Sequence, residues 1–306
     1  MRQAGYRVKM YKGQEKQRTI IDKNLQEIRQ HGTKDFPLAV YLDDFAEFEQ
    51  GRIPWHWHDE VQFDVILEGG IQFQIGSRLF ELSEGQAIFI NSGVLHQIFP
   101  KSGIGGKIVA YVLRSGLLEA DILSAVYQNC LAPVLKGQID CIVFQQIEGL
   151  DKAVLSLLGE IRELYEAKGV GWQIEVKGLL CCIWSNLLKK GKQEGGIIST
   201  KEHRDMDRVK TAITFMQGHY QEALSLAQIA ESIALSRSEL CRCFRRIMGI
   251  TPYEYLIQYR VQEAAKKIRQ TDGRILDIAL SCGFDSLGHM GRYFRKYCGC
   301  APSSFR

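Results

Sequence analysis

Ser225–Pro252 reads SLAQIAESIALSRSELCRCFRRIMGITP, and three helix starts are written into it. Ser225-x-x-Gln228 and Ser236-x-x-Glu239 are capping boxes, and Thr251-Pro252-x-Glu254 adds proline at the first helical position. In each, the hydroxyl accepts an orphan backbone N–H while the residue three places on reaches back to the cap. Helices therefore begin near Leu226, Arg237 and Pro252. Only Ala234-Leu235-Ser236 separates the first two. That is room for a sharp turn and nothing else, which makes a helix-turn-helix.

The unit then repeats. A shift of 50 residues carries Leu240, Arg242, Phe244, Arg245, Arg246, Gly249, Pro252 and Tyr255 onto Met290, Arg292, Phe294, Arg295, Lys296, Gly299, Pro302 and Phe305. A shift of 49 carries Ile229-Ala230 onto Ile278-Ala279, so the second copy has one extra residue in its turn. Matching apolar, basic, glycine and proline positions at one spacing mark an internal repeat. A helix from Pro252 to about Gln270 joins the copies.

From about Asp207 to Arg306 the chain resembles the AraC/XylS-type DNA-binding domain. Its marker is Ile278-Ala279, Gly283-Phe284, Arg292-x-Phe294-Arg295-Lys296 and Gly299-x-x-Pro302-x-x-Phe305-Arg306. The resemblance implies that the second helix of each unit enters the major groove of promoter DNA. On the first, Leu240 and Phe244 face inward, leaving Arg237, Ser238, Cys241, Arg242 and Arg245 outward. Arg242 stands at the family position that reaches bases, where arginine grips guanine O6/N7 bidentately. Arg237, Arg245 and Arg246 read as phosphate contacts. On the second, the candidates are Ser286, Leu287, His289, Arg292, Arg295 and Lys296. This copy departs from the pattern: Leu287, Gly288, His289 and Gly291 stand where polar or aromatic residues are usual, and Arg274 stands where a Ser or Asp cap is common. Two glycines weaken a helix by ~1 kcal/mol each relative to alanine and carry nothing that reads a base. Backbone positioning is expected there.

Charge agrees with this division. Residues 201–306 hold 17 Lys+Arg against 11 Asp+Glu, whereas residues 1–200 hold 22 against 24. The whole excess of +4 lies in the last third, the outline of a nucleic-acid reader attached to a near-neutral body. The 306 residues suffice for about two domains. No apolar run approaches the ~20 residues of a membrane span, and the charged opening Met1–Lys16 has no signal-peptide core. Nine cysteines in no paired metal-finger spacing are expected to be reduced and mostly buried. A soluble cytoplasmic protein is expected, nucleoid-associated in a bacterium when bound to DNA.

The first third has a different texture. Leu38–Leu42, Val61–Leu67, Ile71–Ile75, Ala87–Ile90 and Ile108–Leu113 are short runs rich in Val, Ile and Phe, separated by glycine and serine turns. Such spacing reads as a β-sandwich or barrel. Within it, Trp55-His56-Trp57-His58-Asp59-Glu60-Val61-Gln62 sets His56, His58, Glu60 and Gln62 on one face of a strand and an apolar row on the other. On that apolar face Trp55 and Trp57 read as core, with sugar stacking as the alternative. Gly85–His96 has the outline of a second cupin motif, and residues 37–115 together resemble the small cupin barrel of many AraC-type regulators. The resemblance implies metal ligands at His56, His58, the site of Gln62, and His96. A neutral glutamine replaces the usual acid there, although Glu60 lies on the same face. Three imidazoles with oxygen donors suit zinc, nickel, iron or copper. Three readings stay open: a ligand pocket without metal, a metal that helps hold ligand, and a fortuitous polar face.

The expected fold is a multidomain α+β chain. Residues 1–36 form an N-terminal arm with a helix around Gln14–His31. Residues 37–116 form the cupin-like barrel, 117–190 a helical dimerisation segment, 191–203 a linker, and 204–306 the all-α double helix-turn-helix domain. Stripes at 154–165 and 176–187 exceed what one helix hairpin buries alone, so each should cover the barrel and a second subunit. The expected function is a ligand-responsive transcription regulator that is not an enzyme. A small molecule, sugars included, is sensed in the cupin pocket and coupled to promoter binding. Its partners are promoter DNA, the effector, a second copy of the chain and, for an activator, RNA polymerase, with no membrane. No cofactor is required, and a divalent transition metal is the one candidate. The rival readings are a metal-dependent cupin oxygenase or isomerase fused to a DNA reader, and a constitutive DNA-binding scaffold with a vestigial barrel.

Overall fold

The computed structural model describes residues 21–22, 25–48, 51–103, 105–118, 122–193, 200–271 and 273–305. Among the described residues nine strands come first: β1 (Leu38–Asp44), β2 (Ile53–His56), β3 (Val61–Glu68), β4 (Ile71–Ile75), β5 (Arg78–Leu82), β6 (Ala87–Ile90), β7 (His96–Pro100), β8 (Lys107–Leu113) and β9 (Cys141–Phe144). They make two antiparallel sheets, ordered β1-β8-β3-β6-β9 and β2-β7-β4-β5. Strand alternation sorts the side chains. From β3, Ile66 joins Phe45, Phe73, Ile88, Ile98 and Ile108 in the core between the sheets. Val61 and Phe63, one register away, join Phe89, Val109 and Tyr111 on the outer face.

That outer face is covered by α1 (Leu150–Ala167) and α2 (Trp172–Gln193). Val154, Leu158, Ile161, Val176, Leu180, Ile183 and Leu187 are buried against it, each worth roughly 1.5–3 kcal/mol of apolar burial. Tyr111 Oη donates to the Leu158 carbonyl at 2.8 Å, and Lys190 Nζ reaches Asp151 Oδ1 at 2.6 Å in the same layer. The stripes expected at 154–165 and 176–187 thus find a partner within the chain.

Two expectations are corrected. The helix expected at Gln14–His31 lies partly outside the described residues, and its described part is irregular. Leu25 has φ 59°, Ile21 bridges Glu27, and Gln26 bridges Trp57. Tertiary pairing with the barrel wins over an apolar spacing that suits a helix. Nor is the segment after 117 wholly helical: two π-helical turns (Tyr127–Leu131, Val134–Gln138) lead into β9, which pairs with β6. The sheet therefore extends past residue 116. Asn91 fixes that excursion, its Nδ2 donating to the Val134 and Ile139 carbonyls at 2.7 and 2.8 Å.

The C-terminal helices are α3 (Thr200–Gly218), α4 (Leu226–Ser232), α5 (Arg237–Met248), α6 (Pro252–Gln270), α7 (Ile275–Ser281) and α8 (Leu287–Cys298). All three capping boxes form, at Ser225, Ser236 and Thr251. The repeat is reproduced in space. α5 and α8 each have 12 residues and end on left-handed glycines, Gly249 and Gly299. In the longer second turn Gly283 has φ 79°, and a Cβ there would meet the Tyr220 carbonyl oxygen at 2.3 Å. Arg274 caps α7 without a side-chain hydrogen bond. Among the described residues no helix is long and apolar enough to cross a membrane.

Candidate ligand site and nucleic-acid interface

His56 ends β2, His96 opens β7, and the two are paired across the sheet. His58 follows in the turn into β3. Each ring is anchored through Nδ1 to a backbone carbonyl two residues away: His56 to Pro54 (2.9 Å), His58 to Glu60 (3.0 Å), His96 to Val94 (2.8 Å). Such anchoring fixes ring orientation and leaves the Nε2 side to face a ligand, although His58 Nε2 is taken up by Gln62 Oε1. The three rings converge, with His56 and His96 centroids 4.1 Å apart and one ligand atom from each residue within 4.8 Å of the others. His96 Nε2 is fully buried and has no hydrogen-bond partner. Burial pushes His56 down to about 4. Burial, with the nearby His56 and His58 rings, pushes His96 well below its ordinary value. Both are neutral near pH 7, the state that donates a lone pair.

The expected fourth position behaves otherwise. Gln62 Oε1 lies 2.8 Å from His58 Nε2, and its amide nitrogen donates to both Asp64 oxygens at 2.8 and 2.7 Å. Burial holds Asp64 well above the usual carboxylate range, against the pull of the Gln62 amide. Glu60 does not join the cluster. The turn at Asp59-Glu60 interrupts the alternation, and its carboxylate pairs instead with Arg114 Nε at 2.9 Å.

Sequence reasoning missed the residues that close the site from the N-terminal side. Glu27 Oε2 stands 3.9 Å from His56 Nε2 and 3.6 Å from His31 Nε2. Burial pushes the Glu27 carboxyl up, but the contact with His31 and the histidine charges hold it below the usual range. Asp43 is buried alongside and pushed up to about 7, with Arg29 opposing. Glu27, His31, Tyr41, Asp43, His56 and Gln62 line a cavity of about 40 Å³. A wider cleft of about 1110 Å³ opens outside it, lined in part by Asp59, Glu60, Arg114 and Lys177. Asp64 was findable, continuing the polar row of Glu60 and Gln62 by one more step of two.

Trp55 and Trp57 do not face this cavity. They pack, with Leu95, against the core of α3, α4 and α5. Lys210 of α3 sits 4.4 Å over the Trp57 ring and donates to the Gly93 carbonyl. Gly93 N in turn donates to the His58 carbonyl at 2.8 Å. The histidine cluster and the helical domain therefore share one loop.

On that domain, Leu240 and Phe244 are fully buried while Arg237, Ser238, Arg242 and Arg245 are exposed. Cys241 is half-buried. Arg246 is corrected. Its guanidinium pairs with buried Asp205, which also accepts from Arg208 and the Cys243 thiol, so it holds α5 to α3 rather than standing free for phosphate. On α8, Ser286 is the N-cap, accepting from His289 N at 3.1 Å. His289 is held between Phe284 and Tyr293 at 5.6 and 5.4 Å. Leu287, Arg292, Arg295 and Lys296 are exposed, with Arg292 lying 4.8 Å over Tyr293.

Two family profiles match, a helix-turn-helix domain over residues 229–306 and a cupin domain over 45–102. The chain is 33% identical over 259 residues to the HTH-type transcriptional activator RhaS of Pectobacterium carotovorum, covering 84% of this chain and 88% of that one. It is 29% identical over 288 residues to the HTH-type transcriptional regulator YdeC of Bacillus subtilis, covering 94% and 97%. It is 22% identical over 283 residues to the melibiose operon regulatory protein of Escherichia coli, covering 88% and 90%.

Proposed function

The chain belongs to the AraC-type transcriptional regulators, carrying an N-terminal cupin-like domain, and from that premise we propose that His56, His58 and His96 hold a divalent transition metal whose occupancy sets DNA binding. One observation carries this: three imidazoles, each anchored at Nδ1, bring one ligand atom apiece within 4.8 Å of the others at a buried point, where His96 Nε2 has no other partner and His58 Nε2 must exchange the Gln62 oxygen for the ion. A bound ion would supply fixed positive charge and a coordination position open to a small ligand. Size supports the ion. The cavity beside His56, about 40 Å³, holds a few waters, against the roughly 300–1,000 Å³ of ordinary small-molecule pockets, and the three imidazoles themselves are fully buried. The adjoining cleft of about 1110 Å³ favours a second reading, in which a polar small molecule such as a sugar binds between Glu60, Arg114 and Lys177. The sugar in the name of the melibiose operon regulatory protein belongs to that class.

The barrel is read as a sensor rather than an enzyme, because it is fused to a DNA reader and its relatives are transcriptional regulators. Promoter DNA is the partner, a second copy of the chain pairs through the region of α1 and α2, and RNA polymerase follows for an activator. The setting is cytoplasmic.

Titrating chelator-stripped protein with Zn(II), Ni(II) or Co(II) tests the reading by thermal unfolding. A ligand bound only by the native state at 100 times its Kd adds about 2.7 kcal/mol, a shift of several degrees. His58→Ala should remove the shift and keep the fold. No shift with any of the three ions, or an equal shift in the variant, contradicts the metal.

A further inference from the structure

Neither candidate expected on the histidine strand gives the three-histidine set an acid, since Gln62 is neutral and Glu60 is turned to Arg114. An acid within ion-pair range of the cluster comes from elsewhere. Glu27 lies in the irregular segment before β1, yet its side chain is only 9% exposed and its Oε2 faces His56 Nε2 at 3.9 Å. Backbone pairing puts it there: Glu27 N donates to the Trp57 carbonyl at 2.8 Å and Trp57 N to the Leu25 carbonyl at 2.9 Å. His31, four residues on, brings a second buried Nε2 without a hydrogen-bond partner to the same carboxylate. A tetrahedral ion with bonds of about 2.0–2.2 Å holds its ligand atoms roughly 3.4 Å apart. The 3.9 Å separation from His56 is near that spacing, while Glu27 stands farther from the rest of the set, so joining it requires the carboxylate to move toward His58 and His96.

We propose that Glu27 is the acidic ligand of a divalent-metal centre with His56, His58 and His96, so that metal binding fastens residues 25–31 onto the barrel. The proposal rests on the metal reading of the histidines. It assigns a part to a segment outside the barrel and gives the ion a way to act on its surroundings. The fastened segment hydrogen-bonds both sides of Trp57, whose ring carries Lys210 of the helical domain. An ion that tightens Glu27 therefore stiffens the strand that the DNA reader rests on. Zinc and cobalt suit the mixed nitrogen and carboxylate set.

The test uses the full chain, stripped of metal and titrated with Co(II) or Zn(II). Glu27→Gln keeps shape and removes charge. It should bind each ion at least tenfold more weakly than wild type and should lose the carboxylate contribution to the Co(II) visible spectrum. Hydrogen exchange gives a second measurement on wild type itself. Metal should slow exchange of the Glu27 and Trp57 amides, and should leave them unchanged in Glu27→Gln. If wild type binds no metal, the reading of the histidines fails and this proposal with it. If wild type binds metal while Glu27→Gln matches it in affinity and spectrum, or the two amides show no metal-dependent protection, the histidine site stands and the assignment of Glu27 is wrong.

Discussion

Arg242→Ala is expected to weaken operator binding by about 1–3 kcal/mol, roughly 5- to 150-fold, and to relax discrimination at one base pair. The side chain is exposed on α5 between the equally exposed Ser238 and Arg245, on a helix whose start is fixed by the Ser236 capping box. Such a side chain reaches a base edge without first breaking an internal bond. Arg292, its counterpart 50 residues on, lies over Tyr293 and is flanked by Leu287, Gly288 and Gly291. Arg292→Ala should weaken binding evenly across sequences, with a shallower salt dependence. Binding to an operator selected from random DNA, and to its single-base variants at several salt concentrations, separates the two. Altered base preference in Arg292→Ala but not in Arg242→Ala would reverse the assignment.

Lys210→Ala is expected to leave operator binding in place and remove its dependence on the barrel site. Lys210 is the polar link in the shared loop: its ammonium meets the Gly93 carbonyl and the Trp57 face, and Gly93 meets the His58 backbone. Its helix also carries Val209, Ile213 and Met216, which pack in one core with Leu240 and Phe244 of α5. Burial lowers the Lys210 pKa, with Asp207, Asp59 and Asp140 opposing, so the ammonium has given up water that these carboxylates only partly replace. Coupling between sites typically amounts to 1–3 kcal/mol, or 5–150-fold in affinity. In Lys210→Ala the ratio of operator affinities with and without metal should fall to within about twofold. A ratio kept at its wild-type value would show that the signal travels elsewhere.

What the sequence revealed follows the range of the interactions. The capping boxes at Ser225, Ser236 and Thr251 are contacts over three residues, and all formed at the expected places. The histidine face was legible because His56 and His58 sit two apart in one run and His96 ends the second motif. Contacts that depend on tertiary placement were not. Ile21, Leu25 and Ile28 have helical spacing, but backbone pairing with Trp57 sets the chain at Leu25 and Glu27 and delivers Glu27 and His31 to the site. Cys141–Phe144 is too short to stand out after a helical run, yet β6 gives it a partner. Arg246 looked like any outward arginine of the repeat until Asp205, 41 residues earlier, claimed it.

The central claim is that the barrel site and the DNA reader are one coupled device. Linkage makes that claim reciprocal: whatever factor metal applies to operator affinity, operator must apply to metal affinity. Measuring both Kd values on the full wild-type chain, each with and without the other ligand at one salt concentration, is the most direct test. Two equal factors of at least about fivefold are predicted. Operator affinity unchanged by metal, with metal affinity unchanged by operator, would contradict the account.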